Sequence, residues 1–570
     1  MAEQNGERAV QQNRILDADV VVIGSGAGGM TAAVVAADAG LKVVVLEKTE
    51  YFGGTTARSA GGIDIPCNHH MAQLGQTDTR ADAELYLRSV AGNYYDDQVV
   101  GAFLDNAPEM LSYMERRTEV KTDGMLFPDY EPWQPGAKLG RMVNPLPYDS
   151  RKLGKFGAKL RPPLNQLTIL KGLQIRTIEV GDFVDVLHTP KSFVQCMKLI
   201  APYFYQKIRY GRGTRLALGN ALAGRLLKSC LDRDNIRMID LAPVQRLIRD
   251  GDRVTGVVFN RDGEEWSAVA HRGVVLATGG FSANGEMRAK YLTQAQDGLT
   301  LQPPGNDGDG IRMGVAEGGT FVTNNAANGN WAPVSVMVEE DGSRVVYPHF
   351  VLDRHSAGTL TVGPDGKRFV NEGQNYQLFC NTMHAREFDR CFIIADHKFV
   401  RRSGLGMAPP SPMSLTPYLK RGYLLKARTL ADLARKIGVE PQALTETVER
   451  FNEYARVGAD PEFHRGDDIY SAALGGGTGP NPALSPVETG PFYALEMRPG
   501  DFGSVAGLKI NGHGQVVDAD GSAIPGLYAV GTTANSIFGG TYPTAGANIG
   551  PAMTFGYIAA KHLADARASG

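Results

Sequence analysis

The fold is decided by the stretch DVVVIGSGAGG, residues Asp19–Gly29. Its unbroken run of branched apolar residues is typical of a buried parallel strand, and the glycines that follow indicate a tight turn. An alanine-rich stretch, Met30–Ala39, predicts a helix, and Leu41–Leu46 predicts a second apolar strand that ends at Glu47. Strand, helix and strand in this order form a βαβ unit, which predicts an α/β protein with a Rossmann-like domain.

The glycines of this turn have separate physical roles. Gly24 permits the sharp strand-to-helix turn, Gly26 lets the backbone approach a diphosphate, and Gly29 lets the helix pack close to the strand. A diphosphate would bind at the N-terminus of the helix, where free N–H groups and the helix dipole favour anions. Glu47 is in position to accept hydrogen bonds from a ribose. The motif therefore predicts a dinucleotide cofactor, either NAD or FAD.

Three further segments favour FAD. They are Lys48 with the second glycine-rich loop around Phe52–Thr56, the mid-chain stretch Ala277–Gly280, and Tyr528–Gly531 near the end. Together they resemble the FAD-binding segments of the flavoprotein superfamily that contains fumarate reductases and 3-ketosteroid dehydrogenases. The cofactor-binding residues that this resemblance implies are Gly24, Gly26, Ala27, Gly28, Gly29, Glu47, Lys48, Gly53, Gly54, Thr55, Thr56, Gly62, Val244, Thr278, Gly279, Gly280, Asp309, Gly531, Asn548 and Ile549.

The resemblance covers nearly the whole chain and implies two domains. An FAD-binding domain is expected from residues 1–299 and 488–570, and an inserted α+β substrate-capping domain from residues 300–487. Covalently flavinylated relatives use a histidine in the loop that corresponds to Phe52–Gly62, and no histidine occurs there. The FAD is therefore expected to be bound noncovalently.

Composition argues against several other classes of protein. A formal net charge of −2 on 570 residues gives no reason to expect nucleic-acid binding. The five cysteines are odd in number and form no CxxC motif, which fits a reducing, cytoplasmic compartment. His69 and His70 beside Cys67 have no further ligands at a recognised spacing, so we expect a surface loop and no metal site. No uncharged apolar run approaches the length of a membrane span.

The loop Gly540–Gly556 near the C-terminus is similar to the active-site signature of 3-ketosteroid Δ1-dehydrogenases. In that family a tyrosine and a glycine four residues later bind the C3 carbonyl oxygen, and the matching positions are Tyr542 and Gly546. A phenol O–H and a backbone N–H that meet at one oxygen would stabilise the negative charge of an enolate. The alternative is a buried tyrosine on a glycine-rich turn.

Two more tyrosines are matched by the resemblance. The segment GKRFVNE, Gly366–Glu372, looks like both branches of the superfamily. Four residues after this glutamate, fumarate reductases carry the arginine that delivers a proton, whereas this chain has Tyr376. Tyr376 could act as a base if a neighbouring donor lowers its pKa. The loop Phe127–Gly136 resembles the one that brings a second tyrosine, here Tyr130, beside that base, and plain aromatic packing is the alternative.

The function that this pattern implies is an FAD-dependent 3-ketosteroid dehydrogenase, with 1,2-dehydrogenation favoured. It would act on a small hydrophobic ketosteroid and pass electrons to an acceptor that the sequence does not identify. One position departs from the family, because Asp64 stands in the loop Gly61–Pro66 where an aromatic residue is expected. Dehydrogenation at another position, such as 4,5, or of another cyclic ketone therefore stays open. So do a fumarate-reductase-like enoate reductase and a flavin-dependent sensor without turnover.

The segment 151–230 is strongly basic. It contains 15 lysines and arginines against three acidic residues, a net charge of +12. A solvated basic face is the simplest interpretation. One alternative is weak peripheral contact with the anionic inner face of a membrane, helped by apolar patches such as Leu199–Tyr205. The other is recognition of an anionic substrate tail.

Overall fold

The computed structural model describes residues 14–295, 298–351 and 353–566. The strands are β1 (Ile15–Ile23), β2 (Val43–Leu46), β3 (Ile63–Asp64), β4 (Thr122–Gly124), β5 (Met142–Pro145), β6 (Tyr148–Asp149), β7 (Thr168–Ile169), β8 (Leu173–Gln174), β9 (Arg215–Leu216), β10 (Ile236–Ile239), β11 (Val244–Asp250), β12 (Arg253–Arg261), β13 (Glu264–Leu276), β14 (Phe321–Val322), β15 (Gly329–Val338), β16 (Arg344–Pro348), β17 (Thr359–Val362), β18 (Cys391–Ala395), β19 (Leu425–Ala427), β20 (Phe492–Ser504), β21 (Gly507–Leu508), β22 (Gln515–Val517) and β23 (Ala523–Ala529).

The helices alternate with these strands along the chain. They are α1 (Ala27–Asp38), α2 (His70–Gln73), α3 (Arg80–Ala91), α4 (Asp97–Arg117), α5 (Val180–Val184), α6 (Pro190–Tyr210), α7 (Leu218–Leu231), α8 (Gly285–Tyr291), α9 (Asp309–Ala316), α10 (Tyr376–Ala385), α11 (His397–Ser403), α12 (Thr416–Lys420), α13 (Leu430–Ile437), α14 (Pro441–Val457), α15 (Ile469–Gly475) and α16 (Ile549–Asp565).

The first sheet is built around β1. Its strand order is β10–β2–β1–β13–β12–β11, and β23 and then β22 extend it from β13. Strands β10, β2, β1, β13 and β23 run parallel, with Val20 opposite Val43. Both faces of β1 are covered, because Val20, Val21 and Val22 are fully buried. The predicted α/β, Rossmann-like fold is confirmed, and the unbroken apolar runs are explained by burial on both faces.

Helix α1 crosses α16 at very short range. A Cβ atom on Gly556 would lie 2.4 Å from the carbonyl oxygen of Gly28, so only glycine allows the two helices to approach this closely. Every residue of α1 from Ala27 to Ala37 is buried. The crossing brings the loop that precedes α16 next to the glycine turn after β1, although more than 500 residues separate them.

The second sheet is antiparallel and has the order β16–β15–β20–β18–β17, with β19 also on β20. Strand β20 lies at its centre and pairs with β15, β18 and β19. Helices α13 and α14 cover the sheet through an apolar cluster that includes Leu360, Leu433 and Leu444. An α+β layer of this kind was expected between the two parts of the first domain.

Strand pairing and helix packing lead us to propose domain boundaries that differ from those expected from the sequence. Residues 492–504 were expected in the FAD-binding domain but form β20, the central strand of the second sheet. Helix α9 was expected in the capping domain but packs on the first, because a Cβ atom on Gly310 would lie 2.2 Å from Oγ1 of Thr278. The residues of a strand carry no mark of the sheet that the strand joins. We therefore propose a capping domain that extends from about β15 to β20.

Candidate active site

The turn between β1 and α1 has the backbone geometry that an anion site requires. Gly24 has φ of +104°, which is the left-handed region that favours glycine. A Cβ atom on Gly29 would lie 2.3 Å from the carbonyl oxygen of Gly24, so the helix packs directly on the turn. The N–H of Ala27 donates to Oγ1 of Thr56 at 3.0 Å, which ties the first glycine loop to the second. The N-terminus of α1 therefore faces a cavity with its free N–H groups.

The two glycine loops lie close together at one end of this cavity. A Cβ atom on Gly54 would lie 3.6 Å from the Cα atom of Gly26, so the two backbones are too near for another group to lie between them. Both residues line the cavity beside the N-terminus of α1, and this surface of bare backbone fits the diphosphate of FAD.

Glu47 lies at the end of β2, as the sequence predicted, and is nearly buried. Its Oε2 accepts hydrogen bonds from the hydroxyl of Ser25 at 2.6 Å, and its Oε1 accepts from the hydroxyl of Thr49 at 2.8 Å. The Ser25 hydroxyl in turn accepts from the N–H of Gly53 at 3.1 Å. Sequence reasoning did not single out Ser25, although it lies inside the glycine motif. The carboxylate is held rigidly and retains acceptor capacity for ribose hydroxyls.

Most predicted cofactor-binding residues line one continuous cavity. Gly53 and Gly280 do not: Gly53 is packed between Ala57 and Ala223, and a Cβ atom on Gly280 would collide with Ser504. The predicted residues that line the cavity are Gly24, Gly26, Ala27, Gly28, Gly29, Glu47, Lys48, Gly54, Thr55, Thr56, Gly62, Val244, Thr278, Gly279, Asp309, Gly531, Asn548 and Ile549. The cavity also contains residues that sequence reasoning missed, among them Arg58, Arg161, Gln302 and Asn306.

The three predicted catalytic tyrosines meet at the other end of the same cavity. The hydroxyl groups of Tyr130 and Tyr376 form a hydrogen bond of 3.0 Å. The ring centroid of Tyr542 lies 5.9 Å from that of Tyr130 and 5.5 Å from that of Tyr376. All three side chains line the cavity and are almost fully buried. The structure thus brings together residues that the sequence separates by hundreds of positions.

Backbone contacts hold these tyrosines in place. Tyr376 is the first residue of α10, whose N-terminus is capped by the side chain of Asn375. The same Asn375 amide donates to the carbonyl oxygen of Tyr130 at 3.4 Å. The N–H of Tyr130 donates to the carbonyl oxygen of Pro543 at 2.8 Å, next to Tyr542. A polar backbone network therefore links the segments that carry the tyrosines.

Gly546 presents a donor beside Tyr542. It lines the cavity, and its N–H has no hydrogen-bond partner among the described residues. Its φ is +97°, and a Cβ atom would lie 2.5 Å from the backbone nitrogen of Asp64. Glycine is therefore required here by the strand behind the loop. Tyr542 and the unbonded N–H of Gly546 thus border the same cavity, as a pair of donors to one carbonyl oxygen would require.

The pKa of Tyr376 departs from the expectation. A neighbouring hydroxyl was expected to lower it, but burial raises the pKa of Tyr376 well above its usual value, and Tyr130 and Tyr542 add to the effect. Burial also raises the pKa of Tyr130 and of Tyr542. The physical reason is that burial destabilises a phenolate, and the neighbouring tyrosines do not offset this loss.

An aromatic wall surrounds the tyrosines and was not predicted. The ring centroids of Phe350 and Phe502 lie 4.9 Å and 5.4 Å from that of Tyr376. Tyr470 packs against Tyr130 with centroids 5.1 Å apart. These residues come from three separate segments with no motif around them, so nothing in the sequence could have grouped them.

Asp64, the position that departs from the expected family pattern, lies behind the site. It is buried, and neither carboxylate oxygen has a hydrogen-bond partner among the described residues. Burial, together with the charge of Asp129, raises the pKa of Asp64 well above its usual value. Burial therefore favours the protonated form of Asp64, whereas its charged form raises the pKa of Tyr542.

The loop with Cys67, His69 and His70 acquires a partner from α4. Oε2 of Glu115 lies 2.8 Å from Nε2 of His69, and Oε1 lies 3.1 Å from Nε2 of His70. The sequence argument had found no further ligand-type residue near this pair, and it missed Glu115 because it lies on another helix. The contacts are those of a histidine–carboxylate cluster that also bonds Thr122.

Comparison with known proteins agrees with this geometry. Residues 19–549 match the model of the FAD binding domain family. The chain is 40% identical to 4-oxocyclohex-2-ene-1-carboxylate 5-dehydrogenase of Sinomonas cyclohexanicum, over 99% of this chain and 97% of that protein. It is 35% identical to 3-oxosteroid 1-dehydrogenase of Mycobacterium tuberculosis, over 96% and 98%. The structure is similar, with a TM-score of 0.88, 32% identity and coverage of 96% and 99%, to 3-ketosteroid Δ1-dehydrogenase from Sterolibacterium denitrificans in complex with 1,4-androstadiene-3,17-dione.

Proposed function

Because the chain belongs to the FAD-binding domain family, and within it to the 3-ketosteroid dehydrogenase group, we propose that it dehydrogenates a cyclic ketone. The favoured reaction is 1,2-dehydrogenation of a 3-ketosteroid. The observation that carries this proposal is the convergence of Tyr130, Tyr376, Tyr542 and the free N–H of Gly546 in one cavity with the FAD-binding residues.

The residues of the chain have separate tasks in this reaction. Tyr542 and the N–H of Gly546 donate hydrogen bonds to the ketone oxygen and stabilise the enolate charge. Tyr376 removes the proton from the carbon next to the carbonyl, and Tyr130 is its hydrogen-bond partner. FAD, when bound, supplies the hydride acceptor. Phe350 and Phe502, which line the cavity, hold the ring in place and exclude water.

The apolar walls favour a flat, neutral ring as substrate. Phe350, Phe502, Leu164 and Leu301 line the cavity near the tyrosines. Aromatic and aliphatic surfaces of this kind bury a steroid nucleus without unsatisfied polar groups. The arginine that a dicarboxylate site would need is replaced by Tyr376, so a fumarate-reductase-like reaction is the less favoured alternative.

Arg58 favours a second candidate, a cyclic ketone with a carboxylate. It lines the cavity, and within the described residues its guanidinium forms no hydrogen bond or ion pair, whereas its backbone N–H donates to the carbonyl oxygen of Thr55 at 2.9 Å. Burial lowers the pKa of Arg58, and the nearby charge of Arg161 lowers it further, which makes this pair of arginines attractive to an anion. The relative from Sinomonas acts, by its name, on such a ring acid.

Anaerobic mixing distinguishes these candidates. The yellow holoenzyme is mixed with saturated and Δ4 3-ketosteroids, 4-oxocyclohexane carboxylates and, as the fumarate-reductase control, succinate. Bleaching of the flavin by a 3-ketosteroid supports the favoured reaction, and product analysis identifies the position oxidised. Bleaching only by the ring acids supports the second candidate. In that case Arg58→Leu should raise KM for the ring acid but not for 4-methylcyclohexanone, the neutral analogue in which a methyl group replaces the carboxylate. A spectral shift without bleaching by any compound would identify a binding protein.

We also propose that FAD is bound noncovalently, because the loop Phe52–Gly62 contains no histidine. Acid precipitation should release all flavin into the supernatant. Flavin that stays with the protein pellet would contradict this proposal.

We propose that helix α6 docks weakly on the anionic inner face of a membrane, which would place the protein in the cytoplasm. Ile208 is 87% exposed and Tyr205 is 65% exposed on this helix, and Lys207 and Arg209 lie beside them. Leu167 and Thr177, from the same basic segment, line the cavity, so a hydrophobic substrate could enter from the lipid. In the described part of the chain no helix has the length and apolar character to cross a membrane.

Vesicle co-sedimentation tests the docking. Each basic residue near an anionic surface contributes roughly 1 kcal/mol, so binding to anionic but not neutral vesicles is expected, with loss at high salt. Ile208→Asp should abolish it, whereas Val457→Asp, a change at another strongly exposed apolar residue, should not. Absence of binding at low salt would contradict the proposal. An activity preference for acidic substrates would then assign the basic segment to substrate recognition.

A further inference from the structure

Arg354 is a fully buried cation beside the tyrosine cluster. In the part of the chain that the structure describes, its guanidinium donates to carbonyl oxygens, not to carboxylates. Nε donates to His349 at 3.0 Å, Nη2 to Phe350 at 3.2 Å, and Nη1 to Glu372 at 2.6 Å and Gln374 at 2.7 Å. Such bonds satisfy the N–H groups but leave the positive charge without a directly bonded anion.

Two neighbouring buried arginines are paired differently. Arg368 forms ion pairs with Glu372 and Asp460, at 2.8 Å and 2.7 Å, and Arg465 lies 3.3 Å from Glu372. The acid nearest Arg354 along the chain is Asp353, and its carboxylate is bonded to Nδ1 of His349 at 2.6 Å. The charge of Arg354 is therefore less neutralised than that of the other two.

The contacts of Arg354 surround the residue proposed as the base. Glu372 and Gln374 belong to the segment that leads into Tyr376, and the ring of Phe350 packs on Tyr376 with centroids 4.9 Å apart. The charge also reaches the cluster, because Arg354 opposes the effect of burial on the pKa of Tyr130 and of Tyr470. Tyr130 is hydrogen-bonded to Tyr376, so negative charge on either hydroxyl is shared by the pair.

We propose that Arg354 is a positioning residue that stabilises the negative charge of the Tyr130–Tyr376 pair and thereby lets Tyr376 act as a base. In the step that it assists, the C–H bond next to the ketone breaks and an O–H bond forms on Tyr376. The electron pair moves into the enolate at Tyr542 and Gly546. Before the next turnover the Tyr130–Tyr376 pair returns one proton to solvent. The positive charge of Arg354 then stabilises the phenolate that remains in the buried site. This inference rests on the proposed dehydrogenase function.

The pH dependence of kcat/KM tests the inference. The acid limb is the part of the profile in which kcat/KM rises with pH as the base loses its proton. In Arg354→Met this limb should move to higher pH by about one unit or more, since loss of one nearby opposite charge has an effect of this size. Arg354→Lys keeps the charge and should move the limb less. If Arg354 only holds the loop in place, both variants lose activity at every pH and the limb stays where it is in the wild type. That result would overturn the inference.

A second pair of variants covers the case in which Arg354 variants do not fold. Cys380 is buried one helical turn after Tyr376, and the charge of Arg354 acts on its thiol. Cys380→Asp places a carboxylate within electrostatic reach of the intact guanidinium and should move the acid limb in the same direction as Arg354→Met. Cys380→Asn has nearly the same shape without charge and should leave the limb unchanged. Equal limbs in both Cys380 variants would contradict the inference.

A measurement without turnover separates this inference from the proposed function. Titration of the holoenzyme by its tyrosinate absorbance should show a phenol that ionises at higher pH in Arg354→Met or Cys380→Asp than in the wild type. If no ketone reduces the flavin, the proposed function fails whatever the titration shows. If the wild type turns over a ketone and neither the limb nor the absorbance titration moves, the role of Arg354 fails alone.

Discussion

The two ends of the cavity are built on different principles. The end that fits the diphosphate is made of backbone from two short glycine loops, and Gly26 and Gly54 both line it. The end with the tyrosines is made of side chains from separate segments, and Tyr130 and Tyr376 are 246 residues apart. Backbone recognition needs only a local turn and the absence of side chains. A constellation of side chains needs every segment to be packed correctly.

This difference predicts that substitutions at the two ends have separable consequences. A change at the tyrosine end should affect the reaction and leave the cofactor in place. A change at the glycine end should affect FAD affinity and leave the reaction of the bound enzyme nearly intact.

The largest effect is expected from Tyr376→Phe and Tyr542→Phe. Each should lower kcat by about 10²-fold or more, because a general base or a donor to the enolate oxygen is lost. The FAD content, measured from the absorbance of the purified protein, should stay at the wild-type level. Tyr470→Phe is the matched control, because its ring packs on Tyr130 but does not line the cavity. Near-normal turnover in either variant would remove that tyrosine from the mechanism.

A smaller effect, on the cofactor alone, is expected from Glu47→Gln. Hydrogen bonds to a charged group contribute about 1.5–3 kcal/mol, so FAD should bind roughly ten- to hundredfold more weakly. Fluorescence titration of the apoprotein with FAD measures the affinity. At saturating FAD, kcat should match the wild type. Loss of kcat with unchanged affinity would show that the two ends are not separable.

The pH dependence of the wild type should follow the buried tyrosine. Because burial raises the pKa of Tyr376, the base is protonated at neutral pH, and kcat/KM should increase as pH rises through the alkaline range. The increase should be about tenfold per pH unit well below the pKa. The residual activity of Tyr376→Phe should lack this limb. A wild-type profile that is flat from neutral to alkaline pH would contradict the assignment of Tyr376 as the base.

The smallest effect tests which glycines at the diphosphate end of the cavity contact the cofactor. Gly53 and Gly54 both have positive φ, so replacement of either by alanine should cost about 1–2 kcal/mol of unfolding free energy. Only Gly54 lines the cavity, so only Gly54→Ala should weaken FAD binding. Urea denaturation and FAD titration of both variants make the comparison. If FAD binding is weakened only in Gly53→Ala, the assignment of Gly54, and not Gly53, to the cavity lining is contradicted.

Much of the glycine end could be predicted from the sequence, and the assignment to an FAD-binding family is confirmed. The list of cofactor residues stays a prediction. It includes Gly53 and Gly280, which do not line the cavity, because the family pattern does not distinguish a glycine that contacts the cofactor from one that only packs. The tyrosines could be named only through a resemblance. Their partners Phe350 and Phe502 could not, because no local pattern marks an aromatic residue as part of a distant site.

The sequence by itself determined the βαβ unit, the glycine turn and the acid at Glu47, since these depend on neighbours within about thirty residues. Only the tertiary structure decided that β20 belongs to the second sheet and that Arg354 lies beside the tyrosines, with no carboxylate bonded to its guanidinium among the residues that the structure describes. It also decided that burial raises the pKa of Tyr376. The reason is physical: backbone conformation is set by local sterics and hydrogen bonds, whereas desolvation and charge pairing depend on every segment that packs around a group.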